Sequence, residues 1–74
     1  MKPLHIGLAE IFEVGPSDIH SATALSMFQW DSLAIVSTIA LVDEIFGLLL
    51  DGKALSSCEL VSDIETLVGQ SGGF

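Results

Sequence analysis

Asp31-Ser32, set at the mouth of a long apolar run, is the part of this sequence best placed to do chemistry. A serine hydroxyl is a weak nucleophile unless a neighbouring base takes its proton. Both histidines, His5 and His20, lie outside this stretch, and no Ser–His–Asp set is apparent. Ser32 is therefore not expected to act as a catalytic nucleophile, and the chain is not expected to be an enzyme. Its blander reading is a helix-start residue. His5 and His20 lack Cys or His partners at metal-ligand spacing, so no metal site is assigned. Cys58 is the only cysteine, which excludes an internal disulfide and fits a buried structural thiol better than a reactive one.

These residues need elements to hold them. In residues 3–14, Leu4, Leu8, Ile11 and Phe12 recur on one stripe, which predicts a helix closed by Gly15-Pro16. Residues 15–30 have no sustained period and read as a long loop, anchored by Ile19, Leu25 and Phe28. Residues 32–46 form the clearest helix, with Asp31 as N-cap and Gly47 as stop. Asp51-Gly52 marks a break before a short helix at 53–58. Leu60, Val61, Ile64, Leu67 and Val68 share a face, which predicts a last helix at 60–68, stopped by Gly69 and followed by a frayed tail at 69–74. The expected fold is all-α: a small four-helix bundle of three main helices and one short one, in a single domain spanning 1–74.

The helix at 32–46 carries two apolar stripes. Ile35, Ile39, Val42 and Phe46 form the expected core face. Leu33, Val36 and Ala40 lie on roughly the opposite side, bordered by Ser37, Asp43 and Glu44. An ordinary surface helix has one apolar stripe. The second is expected to be a protein-docking face, the alternative being that it completes the core.

The chain has 74 residues, and a domain of this size buries only about 60% of the surface its unfolded chain exposes. A deep catalytic cleft is not expected. Ten acidic residues face two lysines and no arginine, for a net charge of −8. That balance argues against nucleic acid and against an anionic membrane surface, and it favours basic protein partners. Acidity that merely keeps an apolar chain in solution is the competing explanation. No signal peptide and no membrane-spanning run is evident, so no membrane insertion is expected and the cytoplasm is the expected compartment. Met1 at the start suits a free-standing protein.

Trp30-Asp31-Ser32-Leu33, opening a helix after a long loop in a small acidic helical chain, resembles the acyl carrier protein family. The family hallmark is Asp-Ser-Leu at the start of the second of four helices, and a preceding Trp is common in stand-alone members. The resemblance runs from about Leu4 to Val68. It includes Phe46-Gly47 at the end of the second helix and Val61-x-Asp63 at the start of the fourth. It implies that Ser32 is the attachment site for 4′-phosphopantetheine, placed there from coenzyme A by a phosphopantetheinyl transferase. Cargo would ride on the arm's thiol as a thioester. Asp31 would support the modification. Leu33, Val36, Ala40, Asp43 and Glu44 would meet acyl-loading and acyl-transfer enzymes through their basic docking surfaces, with the carrier itself a monomer.

Three departures from the family pattern bear on this. Gln29 stands where many members have Gly. Ala34 and Ser37 are uncharged where the outer face of the second helix usually carries acids. Leu60 stands where the last helix usually has a Thr or Ser cap, at an expected cost of about 1 kcal/mol. They suggest a specialised carrier rather than the one of general fatty acid synthesis. An aminoacyl or peptidyl carrier would look much the same, and a helical interaction module without a prosthetic group is the alternative of a different class.

Overall fold

The computed structural model describes residues 2–72, and predictions that fall on 1, 73 and 74 lie outside it. Four helices follow in order: α1 (Lys2–Phe12), α2 (Ser32–Phe46), α3 (Gly52–Ser56) and α4 (Val61–Gln70). The architecture is the expected small all-α bundle, with no strand among the described residues.

Helix α1 stops at Phe12, before the predicted Gly15-Pro16 boundary. Glu13 takes a left-handed conformation with φ 58°. The Val14 N–H then donates to the Ala9 carbonyl at 2.9 Å, and Glu13 N–H to the Glu10 carbonyl at 3.2 Å. These two bonds form a Schellman closure, normally built around glycine. A glutamate at that position gave no local signal that the helix would end.

Residues 15–30 are more ordered than an aperiodic loop. They contain two short 3-10 turns, Pro16–Asp18 and Leu25–Met27. Ile19 and Leu25 are buried and Phe28 half-buried, as expected of the anchors. The connection is also stitched to the entry of α4. Leu25 N–H donates to the Glu59 carbonyl at 2.8 Å, Val61 N–H to Thr23 at 3.0 Å and Ser62 N–H to Ser21 at 2.8 Å. Such non-local pairing leaves no periodic trace in sequence.

The core face of α2 is wider than the stripe read in sequence. Val42 is buried as expected and Ile35, Ile39 and Phe46 pack half-buried against the core, but Ala34 and Thr38 are buried as well. The reason is what each side must meet. Ile35 and Ile39 lie against Gly52 at the start of α3, where a Cβ would sit 3.5 Å from Ile39. Small residues suit the tighter packing toward the rest of the bundle. Thr38 is tolerated there because its hydroxyl donates to the Ala34 carbonyl at 2.8 Å.

The later boundaries shift as well. Gly52 opens α3 rather than breaking the chain, and Asp51 caps it by accepting from Lys53 N–H at 3.2 Å. Gly69 does not stop α4; the helix continues to Gln70, and Ser71 N–H closes onto Leu67 and Val68. Burial of Val61, Ile64 and Val68 outweighs glycine's weak helix propensity. Among the described residues no helix is long and apolar enough to cross a membrane.

Candidate functional site

The α2 entry is built by Asp31. Its backbone is extended, with φ −104° and ψ −175°. Its Oδ1 accepts from Ala34 N–H at 2.9 Å, and its carbonyl accepts from Ile35 N–H at 3.0 Å. Capping in this way fixes Ser32 as the first residue of the helix, where its side chain is exposed. Ser32 therefore presents a hydroxyl to solvent at the positive end of a four-turn dipole. That geometry suits a small anionic group attached to the oxygen. The Asp31 carboxylate opposes part of the benefit by adding negative charge beside it.

Trp30 holds the approach to this junction. Its indole N–H donates to the Leu55 carbonyl at the end of α3, at 3.1 Å. Phe28 stacks on Phe12 with ring centroids 4.5 Å apart, and Trp30 tilts against Phe12 at 6.1 Å. The aromatic cluster thus ties the segment before Ser32 to both α1 and α3.

The second stripe of α2 faces outward. Leu33 is 73% exposed and Val36 61%, and Ala40, Asp43 and Glu44 are exposed beside them. Ala34, which was expected on this outer face, is buried. Sequence reasoning missed three further apolar side chains at the surface, Ile6 on α1 at 41%, Met27 at 74% and Leu49 at 83%. Met27 and Leu49 sit in connections without periodicity, so no pattern marked them.

Other candidate groups are engaged elsewhere. The His5 ring and the Glu65 carboxylate lie 2.8 Å apart, joining α1 to α4. Burial raises the pKa of Glu65, but hydrogen bonds from Ser21 and His5 and the charge of His5 outweigh it and hold the carboxyl below its ordinary value. Cys58 is half-buried, and burial together with the nearby Asp63 carboxylate pushes its thiol up. A raised thiol carries less thiolate near neutrality, which fits the structural role.

Leu60 has no side-chain acceptor, yet the start of α4 is not left uncapped. Asp63 Oδ2 accepts from both Leu60 N–H and Glu59 N–H at 2.9 Å. Those two bonds hold the Asp63 carboxyl below its ordinary pKa. The expected loss at Leu60 is thereby offset from the other end of the turn.

No protein-family model and no curated protein matches the chain.

Proposed function

We propose that this chain is a non-catalytic carrier, bearing an acyl intermediate as a thioester on a 4′-phosphopantetheine arm joined to Ser32. The observation that carries the reading is the exposed Ser32 hydroxyl at the first position of α2, directly after the Asp31 cap and beside exposed Leu33 and Val36. The group fits this place. Its phosphodiester would meet the helix N-terminus, and nothing of the core must move to admit it. Once bound, the group supplies a mobile thiol for carrying acyl cargo.

The chain's own residues provide position rather than chemistry. Asp31 fixes the helix start, and its carboxylate is available to the transferase's magnesium and basic groups. Activation of the Ser32 hydroxyl falls to the transferase. There the serine oxygen forms a bond to the β-phosphorus of coenzyme A, the bond between the two phosphates breaks, and the adenosine bisphosphate leaves. The serine proton passes to the transferase's base. Leu33, Val36 and Ala40 would pack against partner enzymes, with Asp43 and Glu44 meeting basic residues at the rim. A reducing, cytoplasmic setting suits the single thiol.

Intact mass after incubation with coenzyme A, magnesium and a broad-range transferase tests the reading. One phosphopantetheinyl addition is expected, and none in Ser32→Ala. No addition under conditions that modify a control carrier overturns it. The exposed Leu33–Val36 stripe also favours a second reading, an interaction module without a prosthetic group. Self-association weakened by Val36→Asp and untouched by Ser32→Ala would support that instead.

A further inference from the structure

Two adjoining concavities lie away from α2. An apolar groove of about 610 Å³ runs between the long connection and the α3–α4 link, walled by Phe28 and Trp30 on one side and Leu60 on the other. A second hollow of about 290 Å³ lies between that link and α4, lined by Ser57, Asp63 and Thr66. Cys58 and Glu59 border both, and no residue of α2 borders either. Phe28, Trp30 and Leu60 are half-buried, and the Trp30 indole N–H is already spent on the Leu55 carbonyl. The groove therefore offers hydrocarbon surface that an apolar side chain would cover.

The second hollow asks for different chemistry. Its polar side chains can accept hydrogen bonds, and none has a proton left to give. The Ser57 and Thr66 hydroxyls donate to the Lys53 and Ser62 carbonyls at 3.3 and 2.9 Å, and the Cys58 thiol donates to the Ala54 carbonyl at 3.5 Å. Glu59 and Asp63 bring carboxylates, and the N–H groups of Glu59 and Leu60 stabilise the Asp63 charge. The backbone N–H groups of Ser57, Cys58 and Glu59 are bonded within the fold as well. Among the described residues no ion pair reaches Glu59 or Asp63, and a chain with two lysines and no arginine has little to supply. The missing complement is a cation that only donates. A guanidinium meets that need best, with five N–H donors in a planar fork and no acceptor.

We propose that the paired concavities form a docking site for a partner polypeptide that presents an apolar side chain beside an arginine, with the apolar group in the groove and the guanidinium in the acceptor hollow. The site is separate from the Leu33–Val36 face. It does not depend on the carrier reading, and its occupation leaves that face open.

Short blocked peptides test this by amide-shift titration of the isotope-labelled protein, in which Trp30 is the only tryptophan and Cys58 the only cysteine. One peptide carries leucine beside arginine. The others replace the arginine by glutamine, replace the leucine by alanine, or set leucine and arginine at opposite ends. The first is expected to shift the Trp30 indole and the Cys58–Leu60 amides, to leave Leu33–Ala40 unmoved, and to slow Cys58 alkylation. Each of the others is expected to bind several-fold more weakly. Glu59→Gln changes an exposed side chain. It is expected to weaken the arginine peptide several-fold and to leave the glutamine peptide unchanged. Absence of any shift at millimolar peptide overturns the site, as do shifts confined to Leu33–Ala40. Equal binding of the arginine and glutamine peptides, or indifference to Glu59→Gln, overturns the acceptor hollow. Equal binding of the alanine peptide overturns the groove. Equal binding with leucine and arginine set apart shows only general attraction to an acidic chain and overturns the pairing of the two.

Discussion

Two helices of this protein begin alike and end up with opposite uses for their first turn. Both α2 and α4 follow an extended residue, Asp31 and Leu60 respectively. At α2 the cap comes from Asp31 itself, so the next residue is free to be polar and exposed. At α4 the N-cap is a leucine, and the turn is completed by Asp63 reaching back and by carbonyls of the long connection that accept from the Val61 and Ser62 N–H groups. Val61 and Ser32 hold the same first helical position, yet Val61 is fully buried and Ser32 exposed. A helix start capped locally can face solvent and carry a group. One completed by the rest of the fold becomes part of the seam.

Substitutions at equivalent positions should separate these roles. The largest effect on stability is expected at Val61→Ala, which removes buried methyl groups and should cost about 2 kcal/mol in denaturant unfolding. A cost near zero would mean that the α4 seam is not closed. Asp31→Ala deletes the local cap and should cost about 1 kcal/mol, with the start of α2 fraying by hydrogen exchange.

Glu13→Gly works in the opposite direction. Glycine takes the left-handed closure of α1 without strain and should add up to about 1 kcal/mol of stability. Loss of stability there would show that the glutamate side chain contributes something the closure does not require.

The pH response tests the completed cap at α4. Asp63 and Glu65 both have lowered folded-state values. Their contribution is therefore fully present above the ordinary carboxylate range and is lost as acid takes the pH down through the lowered values. Thermal unfolding should weaken below about pH 4, and Asp63→Asn should flatten that limb. An unchanged acid limb in the variant would remove Asp63 from the account. The smallest effect on stability belongs to Ser32→Ala, expected within about 0.5 kcal/mol. Loss of modification with an unchanged melting curve would mark Ser32 as a residue of function rather than of fold.

The α2 entry was the most legible part of the chain. Asp31 caps through a bond three residues away, and Gly47 ends the helix with φ 67°; both act within one turn, so residue type and order suffice. The outward Leu33–Val36 stripe was legible for the same reason, because helical periodicity places it whatever lies on the other side. The end of α1 was not, since a glutamate occupies a position where glycine is the usual signal. The extension of α4 through Gly69 was equally hidden, because burial against the bundle overrode local propensity.

By itself, then, the order of residues determined the helical class, the start and stop of α2, and the candidate hydroxyl at its mouth. These depend on interactions spanning a turn or less. Only the tertiary structure decided that Ala34 and Thr38 line the core, that Asp63 completes the α4 turn within a seam shared with the long connection, and that Trp30 and Cys58 share a groove. The core and the groove depend on which distant segments come into contact, and burial of apolar surface carries no directional mark in the local sequence.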